Sequence, residues 1–204
     1  MRGLFIAFEG PDGCGKTTIA NKVYEKLSRR FNCLKTREPG GTEISEKIRD
    51  FILDNNNVEM TSRTEALLYA ASRAQHVEQL IEPALKMGKI VICERFIVSS
   101  LVYQGYARGL GERQVQEIND FAVGEVSPDI TFLFDVKQNN SVERKLKAGG
   151  DRLELEKGEF HSKVREGYES LIKSGRYTVI DATQSVEEVF QNCMDVILER
   201  LDRK

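Results

Sequence analysis

The run Gly10-Pro-Asp-Gly-Cys-Gly-Lys16-Thr17 dominates any reading of this chain: it is the pattern Gly-x-x-x-x-Gly-Lys-Thr, set directly after the apolar stretch Leu4–Phe8 and directly before a helical pattern. A loop of this kind folds back so that successive backbone N–H groups converge on one phosphate, and the helix behind it adds its positive end. Gly10, Pro11, Asp12, Gly13, Cys14, Gly15, Lys16, Thr17 and the adjoining Thr18 are therefore the expected ATP contacts. Lys16 would place a point charge at the β- and γ-phosphates, and the Thr17 hydroxyl would be a ligand to Mg²⁺. Cys14 lies where a helix end and Lys16 both favour a thiolate, although its small size is the simpler reason for its place in the loop.

Further short apolar runs occur at Cys33–Thr36, Ile90–Cys93, Ile130–Phe134 and Tyr177–Ile180. Between them lie segments with helical periodicity: Lys16–Arg30, Glu43–Leu53, Ser62–Met87, pieces from Val98 through Gly124, Val142–Lys147, Gly158–Lys173 and Val186–Leu201. This alternation predicts a parallel sheet with helices on both faces, because buried parallel strands leave neither face to water. With 204 residues and 40% hydrophobic content, the chain is expected to be one domain, 1–204. Two segments depart from a plain scaffold. Thr36–Thr42 (TREPGGT) reads as a rigid exposed turn, and Lys145–Gly158 (KLKAGGDRLELEKG) as a charged mobile flap, or lid, at about 145–158.

A formal net charge of −2 provides no global field for a nucleic acid polymer or an anionic membrane, so small ligands are favoured. The four cysteines are widely separated and the two histidines isolated, which suggests neither a disulfide framework nor a zinc site. No stretch approaches the roughly 20 apolar residues of a membrane helix. The chain is accordingly expected to be cytoplasmic and complete from Met1.

Switch GTPases carry an Asn-Lys-x-Asp box, which is absent here, and the third strand ends in Cys93-Glu94-Arg95 rather than a paired Asp-Glu. A cation beside that strand end suits a second anionic substrate set in line with the γ-phosphate, which is what a kinase requires.

The segments FEGPDGCGKTT, TREPGGTE, EALLYAASRAQHV, ICERFIVSSLVYQGYARGLG and AGGDRLE together resemble the bacterial thymidylate kinases, from residue 5 to about residue 154. The resemblance implies a P-loop nucleoside monophosphate kinase fold with a five-stranded parallel sheet. It also implies transfer of the γ-phosphoryl group of ATP to dTMP in dTTP synthesis, and a homodimer. It further implies that Tyr69 stacks on thymine, Arg73 reaches the base, and Arg95 grips the acceptor phosphate. Arg37 and Arg49 become substrate contacts, though Arg49 reads equally well as a solvated helix residue. Ser100 and Gln104 match positions that bond the polar edge of thymine, with Tyr103 guarding the sugar. Asp12 matches an acidic residue that engages either the acceptor's 3′-hydroxyl or the arginine clamp, while Glu9 orders the loop and counts among the substrate contacts. The loop itself has no arginine. Arg152 in the lid is then expected to close over the transferred group, with Arg144 and Lys147 as helpers or as a solvated basic patch. Glu94 stands where the family usually has Asp; it keeps the charge for Mg²⁺ but lengthens the reach. A Glu-Arg strand end also occurs in deoxynucleoside kinases, which leaves that activity, and more remotely a non-catalytic nucleotide-binding protein, as alternatives.

Overall fold

The structure is a computed structural model, and it describes residues 2–136 and 150–203. Five strands, β1 (Leu4–Glu9), β2 (Cys33–Arg37), β3 (Ile90–Glu94), β4 (Ile130–Asp135) and β5 (Thr178–Asp181), form one sheet in the order β2-β3-β1-β4-β5. All pairings are parallel, with Ile6 opposite Ile92 on one side and Ile130 on the other. Parallel pairing brings the carboxyl ends of β1, β2 and β3 to one edge, where ligands of open α/β sheets bind.

Alternation along β1 divides the core in two. Leu4, Ile6 and Phe8 pack with Val23 of α1 (Lys16–Leu27) and with Cys193 and Ile197 of the last helix, Val186–Asp202. Phe5 and Ala7 face the other way, onto Ile81, Val91 and Phe96. Each fully buried side chain of this size contributes about 1.5–3 kcal/mol over an exposed one, so the central strand is the best-anchored element near the site.

The other helices are α2 (Glu43–Leu53), α3 (Ser62–His76), α4 (Glu82–Lys86), α5 (Ile97–Ser100), α6 (Glu112–Val123) and α7 (Gly158–Lys173), which makes the last helix α8. The single helix expected over Ser62–Met87 is instead α3 joined to α4 by a π-helical segment, Val77–Ile81. A second π segment, Leu101–Ala107, continues α5. The expected Val142–Lys147 helix lies outside the described residues. Thr42 caps α2 by accepting from the Ser45 N–H, and Ser185 with Glu188 makes a reciprocal capping box at the start of α8.

The TREPGGT turn was expected to be exposed, and most of it is not. Thr36 and Glu38 are 8% and 4% exposed because they meet His76 and Arg73 of α3. Gly41 has φ +91°, and a β-carbon there would lie 2.5 Å from His76 Nε2, so both conformation and space call for glycine.

Candidate active site

β1 ends at Glu9, and the chain turns back through Gly10, Gly13 and Gly15 with φ of 144°, 74° and 90°. The first intrahelical bond of α1 runs from Ile19 N–H to Gly15 O at 3.1 Å, so the N–H groups of Lys16, Thr17 and Thr18 have no acceptor inside the helix. Such an end suits a phosphate. Lys16 folds back across the loop, its Nζ donating to Gly10 O at 2.8 Å and Pro11 O at 2.7 Å. Burial, and then the neighbouring charge of Arg95, lower its pKa. Thr17 Oγ1 donates to Glu94 Oε2 at 2.6 Å, so the two expected metal ligands stand together; Lys35 Nζ lies 3.6 Å from the other Glu94 oxygen. Thr18 is exposed in the first helical turn, and the Cys14 thiol lies 3.5 Å from Lys16 Nζ.

Arg95 follows β3 in a left-handed conformation, φ 65°, uncommon for a residue with a side chain. Its guanidinium donates to Asp12 Oδ1 at 2.6 Å and to Ser99 Oγ at 3.0 Å, and Tyr103 donates its hydroxyl to the other Asp12 oxygen at 3.0 Å. Although burial alone would lower it, the Asp12 carboxylate raises the Arg95 pKa. Of the two roles open to Asp12, this arrangement favours the arginine clamp. Glu9 departs from expectation. It is fully buried and accepts from the Phe96 N–H and the Ser99 hydroxyl, each at 2.6 Å, so it orders the turn after β3 instead of facing a ligand. Its burial raises its pKa.

Beyond this junction lies a cleft of about 780 Å³, counting the open space at its mouth. Tyr69, Arg73, Arg95, Ser100, Tyr103 and Gln104 all line it. Arg73 is buried under three elements: Nε donates to Glu38 Oε2 at 2.6 Å, Nη1 to Ser100 Oγ at 3.0 Å, and Nη2 to Phe96 O at 2.9 Å. Nη1 also meets Asn119 Oδ1. Glu38 in turn bonds His76 Nδ1 at 3.0 Å. Burial, and then Glu65, push the Tyr69 phenol well above its usual pKa, so its ring enters the cleft with a neutral hydroxyl. Arg49 also lines the cleft, and its Nη1 donates to Pro39 O at 3.1 Å.

Three expectations need correcting. Arg37 is not among the cleft residues; it is exposed and braces its own turn by bonding Pro39 O and Glu46. Arg152, expected over the transferred phosphoryl group, is 8% exposed, with its Nη2 on Glu65 Oε2 at 2.7 Å and its Nε on Ile52 O at 2.8 Å. Leu153 beside it is buried in the cluster with Phe160 and Val164, so this part of the expected flap is packed down. A Gly-Gly pair amid dense charge suggested a solvated segment; one buried leucine and one buried ion pair outweigh that composition. Arg144 and Lys147 lie outside the described residues.

Glu65, Glu38, His76 and Asn119 escaped the sequence reading. For Glu65 a signal existed: it precedes Tyr69 by four residues and Arg73 by eight, which places all three on one face of α3.

A family profile described as Thymidylate kinase matches residues 8–193. The thymidylate kinase of Finegoldia magna is 53% identical over 200 residues, covering 97% of this chain and 98% of that one. That of a Thermoanaerobacter species is 48% identical over 204 residues, with 98% and 100% covered. A crystal structure of thymidylate kinase from Ehrlichia chaffeensis superposes with a TM-score of 0.78 at 34% identity, covering 97% of this chain and 99% of the other. With the profile spanning most of its length and relatives near half identity end to end, this chain belongs to the thymidylate kinase family.

Proposed function

We infer that this chain is an enzyme that transfers the γ-phosphoryl group of ATP to dTMP, giving dTDP and ADP. The Arg95–Asp12 pair at 2.6 Å carries the reading, because it ties the phosphate loop to the acceptor cleft and so sets the two nucleotide sites end to end. The second phosphate pKa of a monophosphate is near 6, so the attacking oxygen is already ionised at neutral pH and no general base is needed. What remains is positioning and charge neutralisation.

Lys16 supplies positive charge inside the loop, and the free N–H groups at the start of α1 receive phosphate oxygens. Mg²⁺ would be held by Thr17 and Glu94, which already meet at 2.6 Å, and would neutralise charge between the donor phosphates. Arg95 offers a planar fork to the acceptor phosphate. Tyr69, Arg73, Ser100 and Gln104 bind the base; Tyr103 and Arg49 close the side of the cleft. Glu94 facing Thr17 and Lys35 speaks for a metal role over that of a base at a nucleoside hydroxyl.

The proposal extends to a single domain acting as a cytoplasmic homodimer. Four free cysteines suit a reducing compartment. Leu67 on α3 and Phe121 on α6, helices that pack together, are 56% and 93% exposed, giving an apolar face for a second copy to cover.

The test is ADP release from Mg²⁺-ATP in three arms: with dTMP, with thymidine, and with neither. Turnover only with dTMP is expected. Turnover with thymidine alone would restore the deoxynucleoside kinase reading, and none in any arm would leave a nucleotide-binding protein.

A further inference from the structure

Glu65 is a heavily engaged carboxylate beside the cleft, yet it is not one of the cleft-lining residues. Its side chain is 1% exposed. Oε1 accepts from Gln104 Nε2 at 2.9 Å and Arg108 Nε at 3.2 Å, and Oε2 from Arg108 Nη2 at 3.0 Å and Arg152 Nη2 at 2.7 Å. Two guanidinium groups facing one carboxyl keep it ionised, and an ionised carboxylate can only accept. The half of the Gln104 amide that meets it must therefore be the NH₂ group. That fixes the other half. Among the described residues no fully buried side-chain N or O lacks a partner, and no protein donor reaches Gln104 Oε1, so this oxygen opens onto the cleft that Gln104 lines.

Ser100 is fixed in the complementary sense. Its oxygen accepts from Arg73 Nη1 at 3.0 Å, which leaves its own proton to be donated. The cleft thus presents an acceptor from Gln104 and a donor from Ser100, the complement of a ring N–H beside a carbonyl. Thymine and uracil carry that edge; cytosine carries the reverse, a ring nitrogen that accepts beside an amino group that donates.

We propose that Glu65 is a specificity-determining residue: by claiming the amide nitrogen of Gln104 it turns the amide oxygen toward the base, so that the site admits an imide N–H and rejects a pyrimidine whose ring nitrogen is an acceptor. Glu65 touches no substrate and acts through Gln104 as a positioning residue. The assignment rests on the dTMP reading above.

The experiment compares kcat/KM for dTMP, dUMP and dCMP in the full chain and in Glu65→Gln. A glutamine at 65 can donate or accept, so Gln104 is freed to rotate. A site built to bond a donor rejects a ligand lacking it by a factor on the order of 10⁴. The dTMP:dCMP ratio should therefore fall at least about tenfold in the variant, while dTMP:dUMP stays within about twofold, because those two differ only in a methyl group that the amide does not read. A parallel loss with all three nucleotides, ratios intact, overturns the proposal and leaves Glu65 a structural brace. Should Glu65→Gln not fold, the wild type decides: the side-chain NH₂ resonances of Gln104, identified by their loss in Gln104→Met, should be protected from solvent exchange with and without dTMP. Rapid exchange in the free protein refutes the assignment. A wild type inactive on dTMP sinks the kinase reading, whereas an active wild type with unchanged ratios in the variant sinks only the role of Glu65.

Discussion

Replacing Arg73 with alanine separates the two tasks assigned to this side chain. Its guanidinium and the Glu38 carboxylate are 2% and 3% exposed and 2.6 Å apart. In Arg73→Ala the carboxylate stays buried, with His76 Nδ1 at 3.0 Å as its remaining side-chain partner. Removing one member of a buried ion pair costs about 3–5 kcal/mol, since the other charge is left uncompensated. In a domain of this size each kcal/mol moves the melting temperature by about 2–4 °C, so calorimetry should show a fall of about 6–20 °C. The double variant Glu38→Gln/Arg73→Ala buries no lone charge and should melt several degrees above the single one, because an unpaired amide costs less than an unpaired carboxylate. Affinity for dTMP should not recover with it. Loss of a charged hydrogen bond is worth about 1.5–3 kcal/mol, a roughly ten- to hundredfold rise in Kd by titration calorimetry, common to both variants. An Arg73→Ala protein melting within about 3 °C of wild type, or a double variant less stable than the single, would refute the buried-pair argument.

Lys16→Ala should lower kcat on the order of a hundredfold or more while dTMP KM moves little, because the proposed role of Lys16 is at the donor phosphates. Glu94→Gln should raise the Mg²⁺ concentration for half-maximal activity several-fold; an unchanged Mg²⁺ titration would remove Glu94 from the metal. Phe121→Glu places a charge in the exposed apolar face, and sedimentation should then report the monomer mass. Burial alone would raise the Glu65 pKa, but the bonds and charge of Arg108, with Gln104, outweigh it and hold the value below the usual carboxylate range. A depressed folded-state pKa contributes stability that is in place above the unfolded value of about 4.3 and is lost as pH falls through the lowered one. Urea midpoints of Glu65→Gln should accordingly decline less than those of wild type between about pH 5 and pH 3.

The centre of the sheet was legible because β1, β3 and β4 are largely buried on both faces and so read as apolar runs, whereas the edge strands β2 and β5 are only partly covered and carry polar residues; the strand ends differ from expectation by a residue. The phosphate loop was legible because only glycines accept its positive φ values, so geometry is written into composition. Charges that end up inside were harder. In EALLYAASR the spacing puts Glu65 on the face of Tyr69 and Arg73, but nothing local says that Glu65 will meet Arg108 and Arg152. Those partners come from separate parts of the chain, and such pairing exists only once α3, the π segment and the residues after Gly150 are packed. Arg152 was misplaced for the same reason.

The Leu101–Ala107 segment has a consequence for how this site tolerates change. Its wide turns, with Arg108 N–H bonded to Tyr103 O five residues back at 3.0 Å, use more residues per turn than an α-helix. Tyr103, Gln104 and Arg108 owe their aim to that slack. Point substitutions along the outer face should be absorbed, whereas deleting one residue would tighten the coil and swing every later side chain around the axis. Natural drift in this stretch should therefore run through exchanges of residue type and avoid changes in length.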